Sequence, residues 1–314
     1  MTGRLLMAAG VLVIATIWSV SASAQACCAA SQADGPSRLS AGQVATVGVA
    51  ATGQRYSSNF SGTSHRRLDN PGHEFRQSLF GGLRIGDDWQ VGASVPVVQN
   101  HRQNAEHTEW GAGLGDISAR GRYEINPTGL AFDGPGIGVV AAATVPTGRS
   151  PQTSMERNET ALQADVTGSE SMRFETGLQL EWAWHNWFVA ADAGLWQALP
   201  YTDHRDDRVL PGTGTRARVS TGRTVDVSWL WNNNLNLAAG LSTSHQTNRR
   251  IDGVSIDDTA ERMTTVSAQV GGYPTKSLHL MVSATYDVPV DYAGANRMAG
   301  PGIGVTARWV LRDH

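Results

Sequence analysis

Met172-Arg173-Phe174-Glu175-Thr176-Gly177-Leu178-Gln179-Leu180-Glu181-Trp182-Ala183-Trp184 decides the fold of this chain. A strand sends successive side chains to opposite faces, so a period of two sorts the stretch into two sets. One set is Met172, Phe174, Thr176, Leu178, Leu180, Trp182 and Trp184; the other is Arg173, Glu175, Gly177, Gln179, Glu181 and Ala183. The same sorting recurs upstream, where Ile117, Ala119, Gly121, Tyr123 and Ile125 alternate with Asp116, Ser118, Arg120, Arg122 and Glu124. Downstream, Leu278, Leu280, Val282, Ala284, Tyr286 and Val288 alternate with His279, Met281, Ser283, Thr285, Asp287 and Pro289. One face is apolar and the other is polar or ionic.

A soluble sandwich alternates too, with its apolar face turned inward. Three features favour a membrane wall instead. The strands are long, roughly 10 to 15 residues against the usual five or six. Their apolar faces are rich in Ala, Gly, Val and Leu, which suits lipid better than an interdigitating second sheet. The connections alternate in length. Short turns stand at Gly86-Asp87-Asp88, His185-Asn186, Asn232-Asn233-Asn234 and Tyr273-Pro274-Thr275-Lys276, with a longer link from Asn126-Pro127 to Pro135. Long polar loops fall near 56–73, 100–112, 149–166, 199–213, 247–260 and 290–300.

This spacing predicts an all-β fold, a transmembrane antiparallel up-and-down β-barrel of about 12 strands. They lie near 42–55, 73–85, 89–99, 113–126, 136–148, 168–184, 187–198, 215–231, 235–246, 261–273, 277–289 and 301–312. An even number puts both ends of the barrel on the short-turn side, the periplasmic side in bacterial barrels. Trp89, Trp182, Trp184, Trp187, Trp229, Trp231 and Trp309 gather at that side, as a headgroup-level aromatic girdle would. One strand breaks the pattern: Arg216 and Arg218 share a face, but Arg223 falls with Val219, Val225 and Trp229. A bulge near Thr221-Gly222 is the expected repair.

The first residues read as an export signal. Arg4 precedes an apolar run from Leu5 to Val20, and Ala22-Ser23-Ala24 offers a cleavage pattern that exposes Gln25. The expected organisation is a signal peptide (1–24), a periplasmic leader (25–41) and an outer-membrane barrel (42–314). The 314 residues carry a net charge of only −3, which gives a nucleic-acid partner no electrostatic support. No later window is apolar over a helical span, which excludes a multi-helix inner-membrane protein. Lys276 is the lone lysine among many arginines.

Gly113-Leu114-Gly115-Asp116 leads through alternation into Arg122-Tyr123, and Gly136-Ile137-Gly138 runs on to Val145-Pro146-Thr147-Gly148. In these stretches the chain resembles the outer-membrane barrels associated with the meta-pathway of phenol degradation. The resemblance implies an outer-membrane channel or transporter for small molecules, aromatic or apolar in character. Such barrels often end on an aromatic residue, whereas here Leu311-Arg312-Asp313-His314 follows Trp309, a departure from the usual assembly signal. The expected partners are outer-membrane lipid and lipopolysaccharide, the barrel assembly machinery and a small-molecule solute. The alternative is a structural or interaction barrel, lipidated or metal-linked through its N-terminal cysteines.

Parity assigns a set of charges to the interior: Glu74, Arg76, Arg84, Asp116, Arg120, Arg122, Glu124, Arg173, Glu175, Glu181, Asp192, Arg218, Asp226, Asp287 and Arg308. Acids and bases are mixed, so no single-sign selectivity ring is visible. They suit either a polar path for a solute or an ionic network that fills the barrel. Cys27 and Cys28 have no distant partner and build no disulfide framework. Cys27 can be a lipid anchor, the pair can hold a soft metal, or both can be inert; the last is the plain expectation, and no cofactor is expected.

An enzyme is the rival class. Ser244 and His245 are strand neighbours whose side chains point to opposite faces, so they cannot form a nucleophile–base hydrogen bond, and no catalytic residue is expected. His65, His73, His101, His107 and His204 read as scattered loop histidines without metal-ligand spacing. Asp203, Asp206 and Asp207, with Asp252, Asp257 and Asp258, are candidate sites for Ca²⁺ or for bridging lipopolysaccharide.

Overall fold

The computed structural model describes Leu39 and residues 42–126, 135–157, 162–227 and 234–312. Twelve staves close into one antiparallel barrel. In chain order the strands are β1 (Gln43–Ser61), β2 (Ser64–Ile85), β3 (Trp89–Gln103), β4 (Thr108–Leu114), β5 (Ile117–Asn126) and β6 (Gly136–Val145). A short helix α1 (Pro151–Arg157) precedes β7 (Arg173–Trp184) and β8 (Trp187–Ala198). After them come β9 (Tyr201–Thr202), β10 (Arg208–Leu210), β11 (Gly214–Asp226), β12 (Asn234–Gln246), β13 (Arg250–Ile251) and β14 (Val254–Ser255). The last are β15 (Glu261–Gly272), β16 (Leu278–Asp287), β17 (Met298–Ala299) and β18 (Pro301–Arg312).

β4 and β5 are the two halves of one stave, both paired to β3, with Gly115-Asp116 between them. The strand set closes where β1 meets β18, in register from Ala45↔Leu311 to Gln54↔Gly302. Closure removes the edges that would otherwise leave backbone N–H and C=O groups unpaired in lipid. Outside the wall, β9, β10, β13 and β14 form a small sheet over the long-loop end. No helix among the described residues is long and apolar enough to cross a membrane.

Side-chain parity holds stave by stave. In β3, Trp89, Val91, Val95 and Val97 are exposed outward while Gln90, Val98 and Asn100 are buried inward. In β7, Leu178, Leu180 and Trp182 face out while Gln179 and Glu181 are buried. At ~3.4 Å per residue and ~40° of tilt, Trp89 to Val97 spans roughly 20 Å of barrel height, close to the ~25 Å apolar band of such barrels. Trp89, Trp182, Trp184, Trp187 and Trp309 all lie outward at the short-turn end, the end that in bacterial barrels is periplasmic. Trp229 and Trp231 lie outside the described residues.

Three expectations need correction. The first outer loop is not a loop from 56 to 73: β1 and β2 continue as a ribbon to a tight turn at Gly62, which has φ +55°. Tyr56↔Gly72 is followed by Ser58↔Arg67, so residues around Pro71 bulge out of β2, and this break hid the ribbon from a period-two reading. Next, β11 contains no bulge. It stays in unbroken register with β8 and β12, and Arg223 points outward opposite Trp187. Its guanidinium sits 5.6 Å from that ring centroid, at the level where a long cationic side chain can reach headgroups. Last, His73 and His101 belong to strands rather than loops, with stacked rings 5.7 Å apart.

Candidate functional site

The interior has a packed periplasmic end and a roomier outer half. Arg122 is the hub of the packed end, 4% exposed on the inner face of β5. Its guanidinium lies 3.3 Å from Glu124 and 3.8 Å from Glu181, and donates to Gln179 on β7. Arg84 of β2 reaches Glu124 from the other side at 2.9 Å, and Gln90 of β3 donates to the same carboxylate at 2.9 Å. Alternating parity on β2, β3, β5 and β7 thus brings Arg84, Gln90, Arg122, Glu124, Gln179 and Glu181 together, with Arg122 crossing β6 over the bare Gly138. Low dielectric makes each such pair strong and each missing partner costly.

Leu39 closes this belt from below. It is 1% exposed, its N–H donates to Gln90 Oε1 at 2.9 Å, and its carbonyl accepts from Gln90 Nε2 at 2.9 Å. Arg84 also donates to the carbonyls of Leu39 and Gln43. The chain therefore enters the barrel mouth before β1 begins.

The outer half is narrowed by the β6–β7 connection, which folds inward. Gly111 and Gly113 lie on the inner face of β4, where a Cβ at Gly111 would overlap the Ala164 carbonyl. Their bare backbone admits residues 162–168, held by Asn100 Nδ2 to Val166 O at 2.6 Å and Thr167 Oγ1 to Leu114 O at 2.7 Å. Inside the loop Arg149 pairs with Asp165 at 2.7 Å, and Ser154 of α1 donates to the same carboxylate. Asp116 accepts from the backbone N–H of Gly148 at 3.1 Å and Ser169 at 2.7 Å.

Two cavities flank this inner loop. One, of about 490 Å³, is lined by Arg76, Ser78, Ser94, Ser118, Thr144 and Val166. The other, of about 390 Å³, lies toward the outer loops and is lined by Trp196, Tyr201, Val209, Pro211, Arg249 and Glu261. Asp116, Thr144, Gly168, Ser169 and Arg173 border both. Arg173 lies 5.4 Å from the Trp196 ring centroid. Burial, then the hydrogen bond to Glu170 and its charge, push the Tyr201 hydroxyl above its usual range.

The other interior candidates form separate groups. Arg216 joins Glu175 at 2.6 Å and Asp192 at 3.9 Å, and Arg218 reaches Asp192 at 3.8 Å. Arg216 was absent from the candidate set although it shares parity with Arg218. Glu74 pairs with Arg76 at 3.1 Å and accepts from Tyr56 at 3.0 Å. Asp287 accepts from Gln54 at 2.9 Å and Thr265 at 2.6 Å. Arg308 is 1% exposed, directly opposite His279. Arg120 stands inward between Gly92 and Ala142, and Asp226 is exposed at the end of β11. Cys27 and Cys28 lie outside the described residues.

Among the described residues no group of three His, Cys, Asp or Glu side chains is placed to hold a metal. Asp203 instead accepts from the backbone N–H of Arg205 and Asp207, and Asp252 from that of Arg208, so these acids shape their loops. Ser244 faces inward and His245 outward.

No family model and no curated protein matches the chain. Solved structures do match. The fold is that of outer-membrane barrels. The COG4313 outer membrane channel from Pseudomonas putida F1 is similar over 86% of this chain and 96% of its own, with a TM-score of 0.66 and 16% identity. The NanC porin covers 84% of this chain and 100% of its own, with a TM-score of 0.49 and 11% identity. At these identities the likeness speaks for architecture, and a link to phenol degradation is not among its results.

Proposed function

We propose that the chain is an outer-membrane channel for small molecules, aromatic or apolar in character, delivered to that membrane by an N-terminal export signal and the barrel assembly machinery. The observation that carries this reading is the pair of cavities sharing Asp116, Thr144, Gly168, Ser169 and Arg173, which run from beneath the outer loops into the barrel. Their lining mixes Trp196, Tyr201, Pro211 and Val209 with hydroxyls and a few charges, which suits a compact solute with one apolar face. The buried belt around Arg122 forms the constriction, and Leu39 stands in it. The interior charges thus serve both readings open in the sequence: those at the periplasmic end narrow the lumen, and those beside the cavities line a path.

Influx into proteoliposomes tests the solute class. Benzenesulfonate, an aromatic anion that does not cross a protein-free bilayer unaided, should enter faster than a neutral pentose of similar mass. Equal exclusion of both by a folded barrel would favour the alternative, a structural or interaction barrel, which the packed periplasmic end also fits.

A further inference from the structure

The outer wall carries a feature that the lumen does not use. At the upper border of the apolar band, four outward side chains stand in direct cross-strand register: Arg55 opposite His73, His73 opposite His101, and His101 opposite Trp110. The next row down is Gly53, Phe75 and Gln99, with Ile303 of β18 on the far side of Gly53. Gly53 supplies no side chain there, so the wall is indented. A cleft of about 440 Å³ opens outward between Phe75 and Ile303, with Arg55, His73 and His101 on its rim.

The Arg55 guanidinium makes no ion pair or hydrogen bond with the side chains of the described residues, and the nearby Glu74 is turned inward to Arg76 and Tyr56. The His101 and Trp110 ring centroids lie 4.3 Å apart, which holds the imidazole against the indole. An imidazole donates an N–H in either protonation state, and a guanidinium presents a fixed fork to phosphate. Arg55 thus has the two imidazole donors in its own cross-strand row and an apolar slot below.

We infer that this cleft binds one phosphorylated glycolipid of the outer leaflet, with its phosphate on Arg55, His73 and His101 and an acyl chain in the slot over Gly53. The occupant is lipid because the site faces outward, sits where the apolar band ends, and joins a cation row to an apolar floor. A free anion would have no use for Phe75 and Ile303.

Native mass spectrometry of the purified, refolded barrel tests this after incubation with bisphosphorylated lipid A. The wild type should retain one tightly held lipid through detergent washing. Arg55→Gln, His101→Gln and Gly53→Leu should each retain about tenfold less, the scale of one charge-assisted hydrogen bond or a filled slot. Arg223→Gln, which removes an outward charge at the opposite end, should retain the wild-type amount. Dephosphorylated lipid A should be held as weakly as lipid A is by Arg55→Gln. Heat-modifiable gel mobility confirms folding, and the two polar variants decide the matter if Gly53→Leu does not fold. Equal retention by all variants, or equal retention of the dephosphorylated lipid, would overturn the proposal. So would displacement by millimolar inorganic phosphate, which would indicate an anion site.

Discussion

The two ends of this barrel use the same kinds of residue for opposite purposes. At the periplasmic end Arg122, Glu124 and Glu181 are buried, cross-paired with each other and the half-buried Arg84, and supplemented by Gln90 and Gln179. In the outer half Arg173 and Arg76 border open cavities, beside hydroxyls and a backbone loop. A charge in a barrel therefore closes space where several staves aim complementary groups at one point, and lines space where a loop holds the walls apart. The difference lies in placement across staves, not in composition.

The sharpest way to break that comparison is to remove the hub. Arg122→Ala removes the cation that Glu124 and Glu181 share and leaves Arg84 on Glu124 alone, at a cost of about 3–5 kcal/mol for breaking a buried ion network. Arg173→Ala, at the exposed side of the lumen, should cost about 1 kcal/mol or less, since it gives up mainly its contact with Trp196. Denaturant titrations read by heat-modifiable mobility would show the gap. Equal losses would mean the two ends are packed alike.

A second test sets the wall against the lumen at one height. Val282→Arg places a cation in lipid and should cost about 2–4 kcal/mol in folding, whereas Ser283→Arg, one residue on and inward, should cost about 0.5 kcal/mol. Matching defects would argue against the assigned facing.

The inner loop offers a third. Gly111→Leu should expel residues 162–168 from the β4 surface, at an overpacking cost of about 1–3 kcal/mol. Ser154 is fully buried under that loop, so a cysteine at Ser154→Cys should resist a maleimide in the parent barrel and react in the Gly111→Leu background. Continued protection would show that the loop does not depend on the glycine face.

Much of this architecture is legible in the sequence, because a barrel strand has a lipid side and a water side. Alternation located the staves, and parity put Arg122, Glu124, Glu181 and Asp192 on the interior face. What parity cannot supply is height. Arg223 looked like an error needing a bulge, yet an outward arginine is tolerable where its head reaches the interface beside Trp187. The β1–β2 ribbon was hidden because above the membrane neither face needs to be apolar. The inner loop has no period of its own; its docking is written in Gly111, which reads as part of a polar loop, and Gly113, which reads as the start of a strand. Leu39 gave no local signal either, since its partners Gln90 and Arg84 are 51 and 45 positions away.

Planar-bilayer conductance tests the central claim most directly, using purified wild-type barrel beside a variant lacking residues 25–39. If the lumen is a channel narrowed by the Arg122 belt and Leu39, the wild type should show small unitary steps. The deletion variant should then show larger steps. Electrical silence from both proteins, with both shown to be folded, would contradict a channel.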